Sequence, residues 1–161
     1  MLLLVIATHA VAAQANTEAI LDVTALYQKN YTTVLFEYRG EEKTVEACGC
    51  STVCLAMAMN WLAETDEYDP EALLLEAYNN GLYTGVGLGY DEMVQMLTAH
   101  GFEGKWFRGS VKLFRRALRH GCPIIAFMGS GYFSTDGHYI LIVGIDRYDR
   151  LVVVDPYSER K

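Results

Sequence analysis

Three cysteines, Cys48, Cys50 and Cys54, fall within seven residues at the mouth of an apolar run, STVCLAMAMNWLAE (51–64). The run reads as a helix: good helix formers, no Gly or Pro, and Ser51 and Thr52 as capping types at its start. Cys50 stands directly before it. Unpaired N–H groups and the positive end of a helix dipole favour negative charge, which lowers a thiol's pKa and raises its reactive thiolate fraction. Other readings compete on the cysteines alone. A metal site would use Cys48, Cys50 and Cys54 with a histidine, but C-x-C-x₃-C is not a standard zinc spacing. A Cys50–Cys54 disulfide would strain a helical turn. Three small buried hydrophobes would need no chemistry at all.

The histidines separate these readings. His9 lies in the apolar N-terminal run, and His100 and His120 each precede a glycine at a helix end, where a cation suits the dipole. His138 is different. It follows the glycine-rich stretch GSGYFSTDG and opens HYILIVGI, the most apolar strand in the chain. If HYILIVGIDRYDRLVVVDPY (138–157) is a hairpin turning at DRYD, Ile145 pairs with Arg150 and Ile140 with Asp155. By the period of two, His138 shares a face with Ile140, so Asp155 lies diagonal to His138 and within reach. A carboxylate orienting an imidazole is the second half of a nucleophile–base–orienter set. The geometry depends on register, and a slip of one residue breaks it. Without a histidine partner, Asp155-Pro156 would simply end a strand.

These residues need a scaffold, and 161 residues with 52% hydrophobic content suffice for one domain with a real core. LDVTALYQ (21–28) has extended character, and KNYTTVLFEYRGEEKTVEA (29–47) reads as loop with short strands around Gly40. EALLLEAYNNG (71–81), YDEMVQMLTAHG (90–101) and SVKLFRRALRHG (110–121) each carry a start signal and a closing glycine. In the last of these Val111, Phe114, Ala117 and Leu118 share one face. Then come β-branched runs, PIIAFM (123–128), HYILIVGI (138–145) and LVVVD (151–155). Helices first and strands last predict an α+β domain, with a helical N-terminal half and an antiparallel sheet in the C-terminal half.

A net charge of −7 and the absence of a basic stripe argue against a nucleic-acid partner. The densest basic segment, KLFRRALRH (112–120), is interleaved with apolar residues, as on an amphipathic helix. MLLLVIATHAVAAQA (1–15) is too short to span a bilayer. It ends in the A-x-A form of a signal-peptidase site, although no Lys or Arg precedes it. It reads as an export segment, leaving residues 16–161 as an exported or cell-surface domain; a truncated or misassigned start and a folded N-terminal strand are the alternatives, with a cytoplasmic domain if there is no export.

The chain order Cys, His, Asp is that of papain-type enzymes, and here the likeness becomes specific. GCSTVCLAMAMNWL resembles the Gly-Cys-Gly-Pro-Thr-Ser-Leu-Ala-Met helix start of the C39-like cysteine peptidases, the bacteriocin-processing, double-glycine-leader type. GHYILIVGIDRYDRLVVVDPYS is similar to that group's Gly-His-Phe-Ile-Val-Leu-Thr-Gly strand and following Asp-Pro-x-Ser segment. LYQKNY resembles the upstream glutamine segment of the stand-alone members, and HGCPIIAFMGSGYFSTDGH their strand and glycine loop before the histidine. The resemblance spans residues 21–158.

It implies a papain-like cysteine protease fold and a hydrolase acting on a peptide or protein, without metal or organic cofactor. Cys50 aligns with the nucleophile, His138 with the general base and acid, Asp155 with the residue orienting that histidine, and Gln28 with the oxyanion-hole glutamine. From the residues alone Gln28 is an ordinary polar loop position. Members usually carry Gly-Pro after the nucleophile, where this chain has Ser51 and Thr52. With no P-loop motif or long membrane span, double-glycine-leader specificity need not transfer. The same residues would also serve acyl transfer to an amine or hydrolysis of a cell-wall amide. A peptide-binding module on a protease fold is the non-catalytic alternative.

Overall fold

The computed structural model describes residues 2–6 and 19–157. The A-x-A motif at 13–15 and His9 lie outside the described residues. In chain order the elements are β1 (Leu2–Ile6), β2 (Ala19–Ile20), a 3₁₀ turn (Gln28–Asn30), β3 (Phe36–Tyr38), β4 (Glu41–Lys43), α1 (Val45–Cys48) and α2 (Cys50–Ala63). There follow α3 (Pro70–Asn79), α4 (Tyr90–Ala99), β5 (Glu103–Phe107), α5 (Val111–Arg119), β6 (Ile124–Met128), β7 (His138–Ile145) and β8 (Leu151–Val154). The fold is α+β, consistent with the papain-like class.

α3 and α5 begin where their capping side chains place them, whereas α2 and α4 start at Gly49 and Gly89 without one, so Ser51 and Thr52 lie inside α2 and do not cap it. Asp69 accepts the N–H groups of Glu71 and Ala72 at 2.9 Å, with Pro70 opening α3. Ser110 accepts that of Leu113 at the start of α5. His100 and His120 are the C-caps of α4 and α5, and His100 also meets Glu76 at 2.9 Å. Val111 departs from expectation: it stands 56% exposed, while Ala117 and Leu118 carry the buried face of α5.

All strand pairs are antiparallel. β1 lies between β5 and β6, β6 pairs with β7, and β7 also pairs with β8 and β2. A separate β3–β4 hairpin turns at Arg39-Gly40, both with positive φ. The sheet draws on more of the chain than expected. GKWF within β5 lacks the β-branched run that marks the other strands, and its pairing comes from its neighbours.

The core forms where α2 meets β7. α2 is buried continuously from Ser51 to Met59, and every residue of β7 is buried. Leu55, Met59 and Leu141 lie at its centre with no exposed surface. A helix apolar on all sides and a strand apolar on both faces can be satisfied only by being covered on all sides. That requirement sets the first residue of α2 against the first residues of β7.

Candidate active site

α1 ends and α2 begins at one residue, Gly49, which is the C-cap of the first and the N-cap of the second. A Cβ there would overlap Val45 at 2.6–2.8 Å, so the joint requires glycine. Cys50 is therefore the first residue of α2, half-buried, its thiol at the helix mouth. The backbone N–H groups of Tyr139 and Ser51 lie close to this thiol and favour its thiolate. Since Tyr139 follows His138, the contact joins the mouth of α2 to the start of β7. Burial nevertheless pushes the Cys50 thiol above its ordinary pKa, with the neighbouring Cys48 adding to the rise. This corrects the expectation of a lowered thiol pKa: the N–H groups at the helix start act in the foreseen direction, but removal from water outweighs them.

The β7–β8 hairpin differs in detail from the expected pairing and agrees with it at the site. Ile145 pairs with Leu151, not Arg150, because the turn holds five residues, not four. Asp146 organises it: Oδ1 accepts the N–H groups of Tyr148 (2.8 Å) and Arg150 (2.9 Å), and Oδ2 accepts from Arg150 Nε (2.8 Å). A bulge between Ile142 and Gly144 absorbs the extra residue, and Leu141 then pairs with Val154. The ladder ends at that pair, one residue before Asp155, in the expected register.

His138 Nε2 meets Asp155 Oδ1 at 2.8 Å, with both side chains under a tenth exposed. With Asp155 ionised, the proton sits on Nε2 and the Nδ1 lone pair is left as the base. Asp155 Oδ1 also accepts the Tyr157 N–H at 2.9 Å, and the Tyr157 ring stands edge-on to the imidazole. On the other side Gly137 lies under Phe127, whose ring would be 2.5 Å from a Cβ. His138 is thus held from both directions.

Gln28 is 5% exposed, and its backbone N–H donates to the Pro156 carbonyl at 2.8 Å. That bond brings it beside Asp155. Its Nε2 donates to the carbonyls of Val45 (3.1 Å) and Glu46 (3.2 Å), while Oε1 is buried without a hydrogen-bond partner. The carbamoyl group is therefore pinned on α1, four to five residues before Cys50.

The other cysteines have separate surroundings. Cys54 is fully buried in the core, and Cys48 donates to the Thr44 carbonyl at 3.3 Å and lies against Tyr83. Cys122 is buried near the His120 carbonyl. All four are free, and among the described residues no three His, Cys, Asp or Glu side chains are grouped to hold a metal.

Sequence reasoning missed two contributors, the Tyr139 N–H and Gly87, and read Ser51 only as a capping type. Ser51 Oγ accepts the Leu88 N–H at 3.1 Å, and Thr52 Oγ1 donates to the Gly49 carbonyl at 3.0 Å. The residues in place of Gly-Pro thus tie the helix mouth to a distant loop and to its own cap. The available signal was a Ser-Thr pair heading an otherwise apolar helix, polar groups that need partners once buried.

A thiol at a helix mouth, a buried imidazole–carboxylate pair and an α+β scaffold define the papain-like class of cysteine-dependent domains. The chain matches the Peptidase C39-like family over residues 20–161 and belongs to it. It is accordingly a cysteine peptidase-like domain. No curated protein and no solved structure matches it.

Proposed function

We propose that the protein is a cysteine peptidase that hydrolyses a peptide bond through Cys50, His138 and Asp155. The observation that carries this reading is the buried 2.8 Å His138–Asp155 bond at the start of β7, the strand packed against the helix that Cys50 opens. His138 Nδ1 takes the thiol proton, giving a thiolate–imidazolium pair. Because burial disfavours an isolated thiolate, that pair rather than a free thiolate is the working nucleophile. The sulfur attacks the substrate carbonyl carbon. The tetrahedral intermediate collapses to a thioester as the amine leaves with the proton from His138. Water, deprotonated by His138, then attacks the thioester, releasing the acid and restoring the thiol.

The Cys50 backbone N–H is one donor for the oxyanion. Gln28 supplies a second by releasing one of its two carbonyl bonds on α1. Such a donor contributes about 3 kcal/mol to the transition state.

The test is differential alkylation followed by turnover. Iodoacetamide should modify Cys50 faster than Cys122 near neutral pH, and His138→Ala should slow it. Peptide-library profiling should give cleavage that Cys50→Ala abolishes. Equal, slow labelling of both cysteines would sink the reading. Addition of an amine acceptor to the active enzyme distinguishes hydrolysis from acyl transfer.

A further inference from the structure

The stretch GLYTGVGLGY (81–90) touches both halves of the site. At its C-terminal end Tyr90 opens α4, and its ring stands edge-on to that of Tyr139, 6.0 Å between centroids, just after His138. Three residues earlier the loop rests on the residues flanking Cys50. A Cβ on Gly87 would lie 2.9 Å from the Cys48 carbonyl oxygen and 3.4 Å from Ser51 Oγ, and Gly87 has φ +126°. Only glycine fits so close an approach in that conformation.

Three side chains hold the loop there. The Tyr83 hydroxyl donates to the Gly85 carbonyl at 2.8 Å. The Tyr38 ring lies 3.3 Å from where a Gly85 Cβ would be. Ser51 Oγ accepts the buried Leu88 N–H at 3.1 Å. Of the three, Ser51 alone belongs to α2 and neighbours the nucleophile. Within the loop Thr84 closes a tight turn, its N–H and hydroxyl both donating to the Gly87 carbonyl. Leu88 is buried as an anchor, and Val86 projects 83% exposed.

We propose that Ser51 is a positioning residue for peptide cleavage: its hydroxyl pins loop 84–89 beside Cys50, and the pinned loop sets which peptides reach the thiol. The inference rests on the peptidase reading. The loop lies against the residues on both sides of Cys50, with a glycine at its closest point, and Ser51 fixes its distance from Cys50. A peptide running past Cys50 would meet this loop, whereas a reagent of a few atoms need not.

The experiment compares Ser51→Ala and Gly87→Ala with the parent. Ser51→Ala removes the acceptor and little volume; Gly87→Ala pushes the same contact from the loop side. Hydrogen exchange should show the Leu88 amide and its loop neighbours exchanging about tenfold faster in Ser51→Ala, with α2 unchanged. Iodoacetamide alkylation of Cys50 should stay within about twofold of the parent, because the thiol and His138 are untouched. Reaction with a peptidyl electrophile, and kcat/KM on a peptide cleaved by the parent, should fall about tenfold, mostly through KM, with a changed library profile. The double variant should lose little more than either single one, since both act on one contact. Unchanged loop exchange, or an unchanged peptide profile in both variants, overturns the role given to Ser51. A parent whose Cys50 reacts no faster than Cys122 overturns the peptidase reading instead, and loop exchange still reads the pin.

Discussion

Asp155 and Gln28 are the residues whose removal is most informative. Asp155→Ala leaves the buried His138 Nε2–H without its acceptor and frees the Tyr157 N–H. The expected result is a kcat lower by about 10²–10⁴-fold and a stability loss of about 1–3 kcal/mol, read by peptide turnover and urea titration. Gln28→Ala should lower kcat by about 10²-fold while also costing stability, because Nε2 satisfies two carbonyls of α1. An effect on stability alone would leave Gln28 as a brace. The thiol makes a pH prediction. Burial raises the Cys50 pKa, so in His138→Ala the thiolate forms only as pH rises. Alkylation of that variant should climb through a midpoint above the ordinary thiol value of about 8.5, whereas the parent should react well below it.

At the scale of elements, the β7–β8 hairpin decides whether imidazole and carboxylate meet. Its five-residue turn and its bulge offset each other, so Leu141 pairs with Val154 and Asp155 meets His138 although the turn is longer than DRYD. Asp146 holds that turn, and the Arg150 backbone N–H, foremost among its partners, keeps its carboxyl below the usual carboxylate range. A depressed carboxylate stabilises the folded state above its unfolded pKa, and the contribution fades as pH falls through the folded one. Asp146→Ala should therefore lower the thermal midpoint at neutral pH, speed exchange of β8 amides and slow peptide turnover. At acid pH, once the parent's carboxyl is also protonated, the two midpoints should converge. Helix boundaries were legible within a few residues because caps are local: Asp69, Ser110, His100 and His120 all act within one turn of themselves. α1 and β5 were not legible, since a four-residue helix and a strand reading EGKWF carry no periodic signal.

For the whole molecule, the buried thiols and phenols link stability to alkaline pH. Cys54 is raised well above the ordinary thiol value by burial, and Cys50, Cys122, Tyr83 and Tyr139 are also raised by burial first. A raised acid retains its proton in the folded state after the unfolded chain has lost it, so stability is full below the unfolded pKa and declines above it. The urea midpoint should fall from about pH 8.5 upward, and Cys54→Val should flatten that decline. The N-terminus poses a separate test. Export would remove residues 1–15, yet the Leu2–Ile6 backbone pairs with both β5 and β6. N-terminal sequencing of the mature protein decides between a chain starting at Asn16 and one that keeps β1.

What the sequence by itself determined was local or nearly so: a cysteine at a helix mouth, helices bounded by their caps, and a histidine and an aspartate brought to one face by the period of two. Each follows from backbone geometry over a few residues or one hairpin. Tertiary structure alone decided the rest. The Tyr139 N–H reaches Cys50 because an all-apolar helix must bury itself against an all-apolar strand. Gln28 lies beside Asp155 through a backbone bond to Pro156, and loop 84–89 reaches the nucleophile through one serine hydroxyl. The partners in these contacts stand 37 to 128 residues apart in the chain, and only the packing of the complete core fixes such distances.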